Sequence, residues 1–504
     1  MKAFLMHAGQ DFDLGRELPP HASDLIQDLE LETLTGAMAA GNEFLADVAL
    51  RAVLASLTDP EAIVYRQHVL ADCLAQPLVV REIYDLAVGG IAREKREYFG
   101  LFRASPESIL HRSVRVMEMF VSLLRKLRAI ADEHAGDFRS EGFTRLFAML
   151  SAELSDEYFT EIEGHLRELK FRRGVMISAR VGTSSKGVHY VLRRLREQRW
   201  IERMSPGGRA ASYSFQIADR DEAGHRALSD LQARGINLAA NALAQSADHI
   251  LSFFTMLCTE LAFYVGGLNL HERLTAKAEP TCFPVPRAGG PPALSARELY
   301  DVCLTLHISD RVVGNDVNAD GKSLVMITGA NQGGKSTFLR SVGVAQLMLQ
   351  CGMFVPARSL QASVCNGVFT HYRREEDAAM VSGKLDEELA RMSGIVDQIT
   401  PGCVLLCNES FASTNEREGS QIARQIVRAM LARDIRVLFV THLYDLAHRL
   451  HAERMETALF LRAERHADGQ RTFRMTEGQP MPTSHGEDVY RRIFSAGLDR
   501  AAAS

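Results

Sequence analysis

No two of the eight cysteines form a CxxC pair, and none stands near histidines at the spacing of a metal site. The sequence therefore predicts neither a zinc site nor a disulfide framework, and Cys403 and Cys407 read as free core thiols of a reducing compartment. No uninterrupted apolar stretch approaches 18 residues, so a signal peptide or membrane span is not expected. The formal net charge of -5 excludes a global attraction to nucleic acid, and any such site must be a local patch.

The 504 residues are enough for two to four domains, and the first half of the chain has a helical pattern. Apolar residues recur there at three- and four-residue spacing, and Asp59-Pro60 and Ser105-Pro106 read as helix starts with proline in the first turn. The clearest helical segments are 46–57, 77–92, 108–134 and 236–274. The last two are long and flank an insert, which predicts two arms that carry a module at their tips.

That insert is strongly basic. Residues 167–209 contain twelve Lys or Arg and three Glu, a balance of +9 in a chain that is acidic overall. The segment 181–215 has the pattern of a helix followed by a two-stranded wing around Pro206-Gly207-Gly208, as in a winged-helix-like module. Its basic side chains predict contacts with nucleic-acid phosphates, without sequence preference. The candidates are Arg172, Arg173, Arg180, Lys186, Arg193, Arg194 and Arg199. A solvated, charge-rich surface remains the alternative.

The second half of the chain has a different pattern. A segment rich in Pro and Gly, 280–292, is followed by short apolar strands that alternate with helices, which predicts a mostly parallel sheet covered on both faces. A hairpin is expected near the end, over 459–475, with its turn at Asp468-Gly469. The predicted strands are 323–328, 403–407 and 435–440.

A phosphate-binding loop of the Walker A type follows the first of these strands. Residues 329–336 match GxxxxGK[ST] between a strand and a helix, as the mechanism requires. Backbone amides and the helix N-terminus would face the phosphates, Lys335 would reach the β and γ phosphates, and Ser336 would bind magnesium. The predicted nucleotide-binding residues are Gly329, Ala330, Asn331, Gln332, Gly333, Gly334, Lys335, Ser336 and Thr337.

Two further strand ends supply the chemistry expected beside such a loop. Asn408-Glu409 ends the second strand and Thr441-His442 ends the third, and ligands bind at the ends of parallel strands. Glu409 is the predicted general base and His442 a predicted contact of the γ phosphate. Asparagine at 408, where an aspartate is usual, keeps an acceptor oxygen but removes a charge from the magnesium site of Ser336, Asn408 and Glu409. We therefore expect ATP binding with slow hydrolysis.

These motifs resemble those of the MutS family of DNA mismatch-repair ATPases. The resemblance rests on residues 329–357, 404–419 and 437–446, with weaker matches at Asn315-Asp316 and Ser484-His485-Gly486. It implies a multidomain fold, in which an α-helical core and lever region precedes an α/β ATPase domain with a mostly parallel sheet. No Phe-x-Glu wedge stands near the start, so the resemblance is to a short member without the mispair-recognition domain.

The resemblance also implies a domain order and a dimer. We expect a cytoplasmic, nucleoid-associated homodimer with composite ATP sites and no membrane contact, and a MutL-type partner is left open. The loop that reaches the other subunit's nucleotide would contain Ser413, Thr414 and Asn415, with Ser382 and Gly383 in a second such stretch. The expected domains are a core region at 1–107, lever helices at 108–275 with the clamp-like or winged-helix-like insert at about 167–218, a linker at 276–300, and the ATPase domain with a C-terminal dimerisation segment at 301–504.

Three functions remain open from the sequence. The chain could be a DNA-dependent ATP hydrolase that uses ATP and Mg²⁺ to clamp duplex or branched DNA in repair or recombination. It could instead be an ATP-gated scaffold for another protein, with the basic insert as docking surface. A nucleotide-binding protein with an inactive site is the third alternative.

Overall fold

The computed structural model describes residues 1–98, 105–172, 174–183, 186–194, 214–374, 383–466 and 470–481. The chain divides into two compact units. The first unit contains Met1–Ala3, Leu78–Phe138 and Phe143–Thr259. The second contains Phe4–Pro77, Arg139–Gly142 and Glu260–Ser504.

The described helices follow the predicted distribution, with a helical first half of the chain. The capped starts are confirmed, because the Asp59 carboxylate accepts from Glu61 N and the Ser105 hydroxyl from Ser108 N. The helices are α1 Ala22–Asp28, α2 Leu31–Ala39, α3 Glu43–Ala55, α4 Pro60–Ala75, α5 Pro77–Tyr98, α6 Pro106–His134, α7 Glu141–Glu153, α8 Asp156–Leu169, α9 Glu222–Ala276, α10 Val302–His307, α11 Lys335–Gln350, α12 Lys384–Gln398, α13 Glu416–Ala432 and α14 Tyr444–Ala452.

The first unit is built on the long helices α6 and α9. Phe120 of α6 and Phe254 of α9 stack with ring centroids 5.7 Å apart, and both are fully buried. In the described part of the chain, α9 alone is long and apolar enough to cross a membrane, and 78% of its most apolar window of 18 residues is buried inside the protein. Burial of that extent is typical of a core helix.

The basic insert begins with a β-hairpin. Strand β1, Met176–Val181, pairs antiparallel with β2, Gly187–Arg193. The helix expected before a wing is not formed over 187–193, because Val188, Tyr190 and Val191 favour a strand and Leu192 pairs opposite Ile177. The remainder of the expected wing, with Pro206-Gly207-Gly208, lies outside the described residues.

The second unit holds a six-stranded sheet with the order β12-β11-β6-β10-β9-β8. All neighbouring pairs are parallel except β11 and β12. The predicted strands and the late hairpin are confirmed, although its turn at Asp468-Gly469 lies outside the described residues. The strands are β6 Leu324–Gly329, β8 Val368–Tyr372, β9 Val404–Asn408, β10 Arg436–Val440, β11 Ala458–Arg465 and β12 Arg471–Glu477.

A smaller sheet of four strands belongs to the same unit, with the order β3-β7-β4-β5. Two of its strands lie in the segment 276–300 that was expected to be a linker. The strands are β3 Val285–Arg287, β4 Leu294–Leu299, β5 Asn315–Asn318 and β7 Ser359–Ser363.

Buried polar groups hold the first residues of this unit. The carboxylate of Glu260 accepts hydrogen bonds from the backbone amides of Leu5, Met6 and Phe12 at 2.6, 3.3 and 3.1 Å. Arg66, which is fully buried, donates to Met6 O at 2.7 Å. Burial raises the pKa of Glu260 to about 7, while the three amides act in the opposite direction.

The raised pKa predicts a pH-dependent stability. Glu260 binds its proton more tightly in the folded protein than in the unfolded chain. Protonated Glu260 therefore stabilises the fold fully below about pH 4.5, and this stabilisation is lost as the pH rises through about 7. The free energy of unfolding changes by up to about 3 kcal/mol over this range. The Glu260→Gln variant does not titrate there. The wild type alone loses this stabilisation, so the melting temperature of the variant minus that of the wild type should increase between about pH 5 and about pH 8. A constant difference would contradict this assignment, and Glu272→Gln, at an exposed position of α9, is the control.

Candidate functional site

The ends of four parallel strands lie level at one edge of the large sheet. Tyr372 pairs with Asn408, and Asn408 pairs with Val440, which in turn pairs with Ile327 of β6. The chain leaves these strands through Arg373, Glu409 and Thr441-His442 respectively, while β6 runs into the loop 329–336. The register of these strands thus places the candidate residues together at the edge where parallel sheets bind ligands.

The loop is shaped by close packing against strand β11. A Cβ on Gly329 would lie 2.8 Å from Ala463 N, and one on Gly333 would lie 2.7 Å from Ala463 Cβ. Gly329 and Gly334 also have φ values of 112° and 85°, which favour glycine. Helix α11 begins directly afterwards at Lys335, so its N-terminal amides face the loop.

Lys335 lies beneath this loop and is only 5% exposed. Its Nζ donates to the carbonyl oxygens of Gly329 and Ala330, both at 3.0 Å. Burial lowers the pKa of Lys335, and the Glu409 carboxylate opposes that shift. Lys335 therefore stabilises the loop through hydrogen bonds to two of its carbonyl oxygens.

The two strand-end motifs meet the loop from the other side. The hydroxyl of Ser336 donates to Asn408 Oδ1 at 2.9 Å, which joins the start of α11 to the end of β9. His442 Nδ1 lies 3.8 Å from Glu409 Oε2. The polar contact with His442 lowers the pKa of Glu409, and the charges of Lys335 and Arg373 act in the same direction. Glu409 is therefore ionised at neutral pH.

These groups surround an open cavity of about 460 Å³. Most of the predicted nucleotide-binding residues line it, together with both predicted catalytic residues. Gly329 and Ala330 lie below it, where their carbonyls hold Lys335. Asn408 lines a neighbouring cavity of about 420 Å³. The lining residues of the first cavity are Asn331, Gln332, Gly333, Gly334, Lys335, Ser336, Thr337, Arg373, Glu409 and His442.

The residues predicted to reach another subunit make contacts within this chain. Ser413 Oγ donates to Glu388 Oε1 at 2.9 Å, and Thr414 Oγ1 donates to Glu418 Oε2 at 2.8 Å. Asn415 is the N-cap of α13 and accepts from Glu418 N at 3.0 Å. Gly383 precedes α12, and Ser382 lies outside the described residues. A contact with a second subunit remains a prediction.

The predicted DNA-binding residues that the structure describes are exposed on or beside the β1–β2 hairpin. Arg193 Nε donates to Ser178 Oγ at 2.8 Å, and Arg194 forms an ion pair with Glu168. Arg173 and Arg199 lie outside the described residues. The exposed residues are Arg172, Arg180, Lys186, Arg193 and Arg194.

Two basic residues of the site were missed in the sequence. Arg471 of β12 donates from Nε to Asn331 O of the loop at 3.3 Å. Arg373 follows β8, a strand that was not predicted. The signal for Arg373 was present, because VFTHY (368–372) is a short, largely apolar run that is followed by a charged residue, as VLLCN (404–408) is followed by Glu409. Arg471 is brought to the loop by the pairing of β12 with β11 and of β11 with β6, which no short stretch of sequence predicts.

With this geometry in place, comparison with known proteins identifies the family. One profile, the MutS2 N-terminal domain, matches residues 58–277, and a second, MutS domain V, matches residues 325–495. The range 325–495 includes the loop 329–336 and the strand ends at Arg373, Glu409 and Thr441-His442. The chain belongs to the MutS family.

Curated relatives match through a shorter segment. "DNA mismatch repair protein MutS" of Chloroflexus aurantiacus is 33% identical over 144 residues, which is 28% of this chain and 15% of the relative. The protein of the same name from Thermotoga maritima is 36% identical over 135 residues, or 27% of this chain and 17% of the relative. The match thus spans less than a fifth of the length of either relative.

The packing of the loop on Ala463 gives a stability prediction. Gly333→Ala would force the added methyl group against Ala463 Cβ and Ala330 O, and should lower stability by about 1–3 kcal/mol. Gly394→Ala is the matched control, because no atom of the described residues lies within 4 Å of the added methyl group, apart from the local backbone of α12, and alanine favours a helix. Thermal melting of both variants tests this, and equal melting temperatures would contradict the close packing.

Proposed function

We propose that this chain binds and slowly hydrolyses ATP and couples that cycle to holding DNA, in mismatch repair or recombination-related DNA maintenance. The observation that supports it most is the meeting of the loop 329–336, the Ser336–Asn408 hydrogen bond and the Glu409–His442 pair around one cavity. The names of the relatives support the same assignment at the level of the family.

The loop would bind the triphosphate. Its backbone amides and the start of α11 offer donors and partial positive charge to phosphate oxygens. Lys335 already lies under the loop with three donor hydrogens, and phosphate oxygens would compete with the carbonyls of Gly329 and Ala330 for them. The glycines let the backbone approach the phosphates closely.

The oxygen atoms beside the loop fit a magnesium ion. Ser336 Oγ and Asn408 Oδ1 are 2.9 Å apart, and the Glu409 carboxylate lies at the same strand end. Hard oxygen donors suit Mg²⁺, which takes few protein ligands and uses phosphate oxygens for others. When bound, the ion neutralises charge on the phosphates. Asparagine at 408 makes this donor set weaker than one with a second carboxylate.

Glu409 would activate the attacking water. Its pKa lies below the ordinary value, so it is ionised and can accept a proton or a hydrogen bond from water at neutral pH. His442, 3.8 Å away, would hold the carboxylate in position and contact the γ phosphate. A carboxylate with a lowered pKa is a weaker base, and this favours slow turnover.

Two substitutions test the assignment of these roles. Lys335→Ala should abolish ATP binding, since it removes the hydrogen bonds that stabilise the loop and the positive charge of the lysine. Glu409→Gln should leave ATP binding intact and reduce hydrolysis by about 100-fold or more. Calorimetric titration and phosphate release measure the two effects separately. Unchanged hydrolysis in Glu409→Gln would favour the alternative of an inactive site.

The exposed basic hairpin supports non-sequence-specific DNA binding. Arg172, Arg180 and Lys186 are exposed in a unit whose insert has a charge of +9 over 167–209. Such side chains pair with phosphates and release counterions, so the affinity falls with salt. We further propose that the active form is a homodimer with composite ATP sites, which acts in the cytoplasm on the nucleoid.

The hairpin gives a quantitative prediction. Replacing Arg180 and Lys186 by Gln should weaken DNA binding and reduce the slope of log affinity against log salt by about 2. The matched control replaces Lys95 and Lys126, which are exposed on α5 and α6. Filter binding with homoduplex, mispaired and junction DNA, with and without ATP, measures both. ATP-dependent protein association without DNA affinity would favour the scaffold alternative.

A further inference from the structure

Arg373 occupies a central position at the edge of the large sheet. Its backbone N–H donates to Asn408 O at 2.9 Å, which fixes the residue beside the end of β9. It lines the cavity that contains Lys335 and Glu409, and also the neighbouring cavity that contains Asn408. The two cavities share Arg373, Ser336 and Thr337, so this side chain stands where the predicted magnesium ligands and the phosphate loop meet.

The guanidinium of Arg373 differs from those of the arginines around it. Arg374, the next residue, forms an ion pair with Asp24. Arg340 of α11 donates to Asp301 Oδ2 at 2.6 Å. Arg373 is exposed, and its side chain makes no hydrogen bond or ion pair with the described residues. Within that part of the chain its five donors remain available to a ligand.

The charges around the cavity favour an anionic ligand over a metal ion. Among the ten lining residues that belong to the described part of the chain, Lys335 and Arg373 are cations and Glu409 is the one carboxylate. The position where a second carboxylate is usual holds Asn408. Arg471, which reaches the loop carbonyl of Asn331, adds a further positive charge nearby. The described side chains that line this cavity therefore carry a net positive charge, which suits phosphate oxygens.

We propose that Arg373 binds the nucleotide phosphates directly, within the same chain, and takes over part of the charge neutralisation that magnesium performs in the site. A guanidinium presents a planar fork that matches phosphate oxygens and stays charged at every relevant pH. The loss of the carboxylate at 408 and the presence of Arg373 then act together, because both make the site more positive. This proposal rests on the proposed nucleotide binding and specifies how that binding depends on metal.

The test measures the affinity for a non-hydrolysable ATP analogue, by calorimetric titration of the full chain, in Mg²⁺ and in EDTA. For the wild type, removal of Mg²⁺ should weaken binding by less than about tenfold, because the side-chain cations remain. Arg373→Gln should weaken binding in EDTA by about 10- to 100-fold, as expected for loss of charged hydrogen bonds, and less in Mg²⁺. Equal affinities of wild type and Arg373→Gln in EDTA would overturn the proposal.

Three further variants separate a phosphate contact from a structural role. Arg373→Lys should recover part of the lost affinity, because it restores the charge but not the planar fork. Arg287→Gln, which removes an exposed arginine of β3 distant in sequence from the loop, should change nothing. Asn408→Asp should increase the loss of affinity on Mg²⁺ removal, since its added carboxylate repels phosphates when no ion lies between them. No recovery with Arg373→Lys at an unchanged melting temperature would contradict the charge-based account.

The outcomes also distinguish this proposal from the one on which it rests. If the wild type binds no analogue even in Mg²⁺, nucleotide binding itself fails and the role of Arg373 fails with it. If the wild type binds, Lys335→Ala does not, and Arg373→Gln matches the wild type in both conditions, nucleotide binding stands and only the role of Arg373 is refuted.

Discussion

The parallel register of β6, β10, β9 and β8 is the constraint on which the site depends. Because Tyr372, Asn408 and Val440 lie level, the residues that follow them emerge at one edge of the sheet. A shift of one residue in any of these strands would exchange its side chains between the two buried faces of the sheet and would displace the polar residue at its end. The buried core of the sheet, with Leu324, Leu405 and Val437, therefore fixes where the polar groups lie.

The electrostatics of this edge follow from which side chains emerge there. Lys335 is buried under the loop, Glu409 is ionised beside His442, and Arg373 stands exposed between two cavities. In the proposed reaction the protein's own cations would neutralise part of the charge of the triphosphate, and the Glu409 carboxylate would act on the attacking water. A site of this composition would favour anions and would have limited basicity, in agreement with the slow hydrolysis proposed for it.

The sequence predicted those elements whose formation depends on residues that are close together in the chain. The loop 329–336, the strands before Glu409 and His442, and the capped helix starts are of this kind, because each depends on residues adjacent in the chain. Strand β2, residues 187–193, was mistaken for part of a helix, since its strand character depends on its pairing with β1. Arg471 was missed for the same reason, as only the sheet brings β12 beside the loop.

Ala463 shows how a distant side chain controls the loop. Its methyl group fills the space that two glycines leave open, and it belongs to a strand more than a hundred residues further along the chain. The volume of this one side chain is therefore a structural limit on the loop, although it has no chemistry of its own. Enlarging it in steps through valine and leucine would provide a graded series of proteins with altered loops and every polar group retained.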